Sequence, residues 1–184
     1  MRRTLIPLAL LAAATLCSPA QPAQNEPTDI AALPPLLDRF AAAFRERDVK
    51  GFPDLFYSAN PQEVIWQFVV EDNRLARVQK FKPEARKARH VPDNNYLSAI
   101  QAIAADPLPT EEKFSNVRID TDGEVASVNF DYVVTVGGKD QNWGREMWHL
   151  VRTERGWKII SVIYSARDPV AKAQAGSGSG NELK

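Results

Sequence analysis

The chain has 184 residues, with 23 basic against 23 acidic side chains, a formal net charge of zero, 44% apolar residues, one cysteine and a mean hydropathy of -0.33. That composition is too polar for a polytopic membrane protein and too apolar for a disordered chain. Balanced charge also gives no bulk attraction to nucleic acid, so a single globular domain is expected.

Met1–Arg3 is a short basic stretch, Leu5–Leu16 is apolar apart from Pro7 and Thr15, and Ser18-Pro19-Ala20 places small residues where a signal peptidase reads them. This order is that of a secretory signal. The apolar run is shorter than the roughly 20 residues that span a bilayer, so a cleaved leader over residues 1–20 and a periplasmic or secreted product are expected. Cys17 follows Leu16, where a lipoprotein peptidase takes a small residue, so membrane attachment is expected only if Cys17 is lipidated. Cleavage after Ala20 removes Arg2, Arg3 and the cysteine, leaving 21 basic and 23 acidic residues and a thiol-free, mildly acidic protein. Residues 21–28 read as a flexible lead-in, 29–169 as the folded domain and 170–184 as a Gly/Ser-containing tail.

Leu33, Leu36, Leu37, Phe40 and Phe44 recur at helical spacing with charges opposite, predicting an amphipathic helix. Pro53 starts a second short helix across Gly51–Phe56. Val64–Val70 is β-branched and aromatic and predicts a strand that Glu71-Asp72-Asn73-Arg74 turns back; Leu75–Ala88 fits strand or helix. Asp93 is the expected cap of a helix through Tyr96, Leu97, Ile100 and Ile103, stopped by Asp106-Pro107. Four strands follow, Val117–Ile119, Val125–Val136, Trp143–Thr153 and Trp157–Ser165, separated by Asp122-Gly123, Gly137-Gly138 and Arg155-Gly156. Helices first and an antiparallel meander afterwards define an α+β domain.

The stretches AAAFRERDVKGFPDLF (Ala41–Phe56), DGEVASVNFDYVV (Asp122–Val134) and GREMWHLVRTERGWKIISVIYS (Gly144–Ser165) resemble the nuclear transport factor 2-like superfamily, in its SnoaL-like branch. The resemblance covers most of Asp29–Ser165, while Pro61–His90 departs from the pattern. It implies a cone, a strongly curved antiparallel sheet wrapped around helices, with a pocket at the open end and a homodimer through the sheet. It leaves function open, because one such cone hosts isomerases, dehydratases, cyclases, epoxide hydrolases and ligand binders.

Strand alternation puts Ala126, Val128, Phe130, Tyr132 and Val134 inward, with Ser127, Asn129, Asp131 and Thr135 outward. Asp131 then reads as a solvated sheet residue. The next strand divides into Asn142, Gly144, Glu146, Trp148, Leu150 and Arg152 against Trp143, Arg145, Met147, His149 and Val151. Trp148 and Leu150 favour the first set as the inward one, which buries Glu146 where desolvation raises a carboxyl pKa and suits acid–base work, unless Arg118 or Arg152 pairs with it. In the other register His149 is the candidate base. On the last strand Trp157, Ile159 and Ile163 form an apolar outward set that suits dimerisation.

Two histidines, His90 and His149, stand far apart in no ligand-like spacing, and the chain carries no nucleophile elbow, P-loop or dinucleotide fingerprint, so no metal or cofactor is expected. Seven basic residues between Arg74 and Arg89 face one acid, Glu84; with Phe81 as the sole aromatic among them, they read as a solvated face and not a nucleic-acid surface. The expected function is binding of a small apolar or amphipathic molecule, or of a protein partner, without catalysis, at Phe130, Tyr132, Asn142, Glu146 and Trp148. The alternative is a cofactor-independent isomerase or lyase with Glu146 or His149 as base and Tyr132 as donor.

Overall fold

A computed structural model describes residues 24–88 and 91–169. The expected leader with Cys17, the tail from residue 170, Arg89 and His90 lie outside the described residues.

Proline opens both N-terminal helices, α1 (Pro27–Ala31) and α2 (Pro34–Glu46), where its fixed φ suits the first turn. Helix α2 buries Leu36, Leu37, Phe40, Ala41, Ala43 and Phe44, the face expected from the 3.6-residue period, and ends on Arg47 in the left-handed conformation. Phe40 is the hub of the core. Its ring centroid lies 5.1 Å from Phe44, 4.9 Å from Phe52 in the 3₁₀ turn Phe52–Leu55, and 4.8 Å from Trp148 on the sheet.

Strand β1 (Ile65–Val70) leads into α3 (Asp72–Gln79), started by the Glu71 carboxylate accepting from the Arg74 amide, so the acidic cluster caps a helix and does not reverse the strand. Helix α4 (Tyr96–Ala105) is capped by Asn95 and not by Asp93. Asn95 accepts from the Leu97 and Ser98 amides while the Ser98 hydroxyl receives the Asn95 amide, a reciprocal box that satisfies both groups. Tyr96 stacks on Phe56 at 4.0 Å and donates its hydroxyl to the Ser58 carbonyl at 2.7 Å, tying α4 to the loop after α2.

The remaining strands are β2 (Thr110–Thr121), β3 (Val125–Val136), β4 (Lys139–Thr153) and β5 (Gly156–Ala166), and the sheet order is β1-β5-β4-β3-β2. β2 to β5 form the expected antiparallel meander. The expectation of a wholly antiparallel sheet is corrected at one edge, where β1 pairs in parallel with β5, Ile65 opposite Ser161 through Val70 opposite Ala166. The chain between them passes through two helices and three strands, long enough to bring β5 alongside in the same direction.

Register shifts between Ser115 and Arg118, between Val134 and Thr135, and between His149 and Leu150 interrupt the ladders. Such irregularities bend and twist strands, and here they accompany the curvature that closes the sheet around α2 and α4 as a cone. They also reset the face. Thr135, expected outward, is buried, and Ile159, expected in the outward apolar set, is wholly buried, because the extra residue Ile160 puts both Ile159 and Val162 on the core side.

Gly144 has no room for a side chain: a Cβ there would lie 1.8 Å from the Ser165 carbonyl oxygen. That close approach lets the same carbonyl accept the Tyr132 hydroxyl at 3.0 Å. Gly144→Ala is expected to cost on the order of 2 kcal/mol and to lower the melting temperature by several degrees, measured by thermal denaturation; an unchanged melt would contradict this packing.

Candidate functional site

The inward row of β4 contains Gly144, Glu146, Trp148 and Leu150. Burying Trp148 and Leu150 completely takes Glu146 inside with them, because the pleat gives every second residue the same face. Glu146 is 4% exposed and accepts a hydrogen bond from the Trp148 indole at 2.5 Å. Glu112, on the inward face of β2, is 5% exposed.

Both carboxyls line a cavity of about 200 Å³ between the sheet and the helices. Phe40 and Phe44 of α2 and Ala99 and Ile103 of α4 form its apolar wall. Tyr132, Asn142 and Tyr164 share the polar wall with the two acids, and Trp66 of β1 closes one side. The cavity is small beside the roughly 300–1,000 Å³ of drug-sized sites and suits a molecule of single-ring size.

Burial raises the Glu146 carboxyl to about 7, opposed by the indole hydrogen bond. Burial, reinforced by the charge on Glu146, pushes Glu112 well above the usual carboxylate range. Two desolvated carboxyls that feel each other cannot both ionise cheaply, so the pair retains a proton at neutral pH. Among the described residues no Lys, Arg or His forms an ion pair with either acid. Tyr132 is raised by burial and then by the charges of Glu146 and Glu112, and its hydroxyl donates to Ser165. Tyr164 is pushed up to about 12 by burial and the Glu146 charge, with a hydrogen bond from Trp66 acting in the opposite sense.

Tyr132, Asn142 and Glu146 therefore meet at one cavity. Phe130 and Trp148 do not line it; they belong to the packed core beneath, with ring centroids 5.0 Å apart, and Trp148 reaches the site only through its bond to Glu146. The register that would bring His149 inside is corrected: His149 is exposed on the opposite face, opposite Ser127 and Ser161 in the ladders. Neither Arg118 nor Arg152 is the partner of Glu146; Arg152 instead reaches Asp29 and the Gly123 carbonyl. Asp131 is half-exposed and held by Asn116 and Arg145, which, with the Asn116 bond foremost, keep it below the usual range. In the basic segment, Arg77 pairs with Asp168 and Lys87 with Asp72, as suits a solvated face, but the expectation is corrected at Arg74, which lies 3.7 Å from Asp168 with its Nη1 buried and without a hydrogen-bond partner among the described residues.

Sequence reasoning missed Glu112 and Tyr164. Glu112 lies in Thr110–Asn116, a run of charged and small polar residues that masks strand periodicity; its signal was the alternation of Thr110, Glu112 and Phe114 against Glu111 and Lys113. Two wider grooves, of about 440 and 600 Å³, lie largely on the outward face, the first beside His149 and the second beside Trp143 and Arg167. They hold no buried titratable pair.

No family model matches the chain, and no curated protein matches it. Solved structures do. A protein of unknown function from Pseudomonas putida, described as nuclear transport factor 2-like, superposes with a TM-score of 0.54 at 12% identity over 77% of this chain and 89% of its own. A protein from Novosphingobium aromaticivorans, provisionally named scytalone dehydratase, gives 0.53 at 12% identity over 76% and 85%. A protein of unknown function with a cystatin-like fold, from Nostoc punctiforme, gives 0.52 at 12% identity over 79% and 97%.

The chain has the nuclear transport factor 2-like fold. At such identities the likeness establishes the cone and nothing of its occupant.

This nuclear transport factor 2-like cone carries a built-in pH response. A carboxyl raised in the folded state binds its proton more tightly than in the unfolded chain, so its contribution is fully present below its ordinary value of 4.5 and is lost as pH rises through the folded value, about 7 for Glu146, with Glu112 raised in the same sense. Stability should fall as pH rises from about 4.5 to about 7. Glu112→Gln and Glu146→Gln should each flatten that slope and raise the melting temperature at the alkaline end. Denaturation across this range checks it, and a parent whose stability rises with pH would contradict it.

Proposed function

We propose that this protein is an exported, SnoaL-like cone that binds a small amphipathic molecule in its interior and does not catalyse a reaction on it. The observation that carries the reading is the cavity's division into an apolar helix wall and a polar sheet wall, which fits a ligand with one apolar side and one hydrogen-bonding group. Export rests on the leader-like N-terminus, and location in the periplasm or outside the cell follows from it. A homodimer through the sheet belongs to the same proposal, with Val125, Met147 and Ile163 as its apolar residues in place of the buried Ile159 and of Trp157, which packs partly buried against the core.

A second reading, a cofactor-independent isomerase or lyase, is favoured by one observation: a Glu146 carboxyl raised to about 7 is poised for proton transfer at neutral pH. Against it stands the occupation of its proton donor, since the Tyr132 hydroxyl is committed to the Ser165 carbonyl. The binding reading is therefore the conclusion.

Screening single-ring fragments by thermal shift tests it, because a ligand that binds only the folded state raises its melting temperature. Hits are expected for the parent chain and are expected to vanish in Ala99→Phe, which fills the cavity from α4 while the variant still melts cooperatively. Fragments that stabilise both chains equally would place binding on the outward grooves and contradict the reading.

A further inference from the structure

Among the described residues the cavity is lined by two carboxyls and no basic side chain; Arg74, whose buried Nη1 lacks a hydrogen-bond partner among them, acts on Tyr132 and Tyr164 but forms no ion pair with either acid. Glu112 is more than nine-tenths buried, faces the cavity, and has neither a hydrogen bond nor an ion pair among the described residues. Glu146 spends one oxygen on the Trp148 indole. Burying an ionised acid without a partner is costly; protonation relieves that cost, and a cation delivered between the two carboxyls relieves it in the proton's place.

The rest of the wall suits such a cation. The rings of Phe40, Phe44, Trp66 and Tyr164 surround the same space, and aromatic faces attract a desolvated ammonium. Trp66 and Tyr164 stand edge to face at 6.1 Å, as do Tyr132 and Tyr164 at 6.0 Å, which fixes ring faces and edges on the polar side. Asn142 adds an amide group that an N–H can use.

We propose that the molecule this cavity takes is a small organic cation, an amine carried on a single apolar ring, with the ammonium between Glu112 and Glu146 and the ring against Phe40, Phe44 and Ile103. This rests on the ligand-binding reading above and names its ligand class.

Charged and titratable groups around the site decide the pH dependence. Glu112 comes from β2, Tyr132 from β3, Glu146 from β4 and Tyr164 from β5, while α2, α4 and β1 present only uncharged residues to the cavity. From α3, the charge of Arg74 reaches Tyr132 and Tyr164, and its guanidinium is held 3.7 Å from Asp168. Entry of a cation therefore expels a proton from the carboxyl pair, and amine affinity rises with pH through neutrality.

Isothermal titration of the full chain with benzylamine, benzyl alcohol and benzoate, one ring with three head groups, tests the proposal. Benzylamine is expected to bind at least tenfold more tightly than benzyl alcohol, with benzoate weakest, and to release protons in buffers of differing ionisation heat. Glu112→Gln is expected to reduce the amine's advantage at least severalfold without weakening the alcohol. Equal binding of amine and alcohol by the parent, with no proton release, would overturn the cation while leaving a ligand-binding cavity standing. Failure of all three probes to bind would overturn both readings.

Discussion

The pleat of β4 is the constraint on which the site depends. Trp148 and Leu150 are the apolar weight of that strand, and burying them completely fixes which face of β4 looks into the cone. Glu146 has the same parity and goes with them. Its desolvation is a cost the strand cannot avoid without exposing a tryptophan, and the indole N–H, two residues on, offsets part of it by donating to the carboxylate. Fold stability and site chemistry are thus coupled through one strand: the residue that anchors the core also steadies the acid.

The cavity follows from curvature. Register shifts in three of the ladders bend the sheet around α2 and α4, and the helices meet it with Phe40, Phe44, Ala99 and Ile103, leaving space where the facing residues are Glu112, Glu146 and two tyrosines. Gly144 permits the Ser165 carbonyl to come down onto Tyr132, so the phenol that borders this space is fixed by the backbone. What results is an apolar shell with an under-compensated acidic wall, closed on one side by Trp66 from the parallel edge strand.

Much of this is legible in the sequence wherever alternation is clean. The inward rows of β3 and β4 emerge from Val128, Phe130, Tyr132 and from Trp148, Leu150, and with them the burial of Glu146 and the outward direction of Asp131. Legibility fails where the backbone departs from strict period two or where polar residues are themselves buried. Glu112 sits in a stretch whose charges disguise a strand, and the extra residue at Ile160 turns Ile159 into the core. The parallel pairing of β1 is carried by no local signal in Ile65–Val70, because partner and direction are set by the domain that intervenes. Likewise Asn95 and Asp93 are equally good caps in isolation, and the reciprocal bond with Ser98 selects between them.

Glu112 and Glu146 are two buried carboxyls that face one cavity and together keep a proton at neutral pH. Infrared difference spectroscopy of the carboxyl stretch, on the parent and on Glu112→Gln, measures it most directly. A protonated-carboxyl band is expected to persist at neutral pH in the parent and to be diminished in the variant; a parent with every carboxyl ionised at neutral pH would refute the protonated pair.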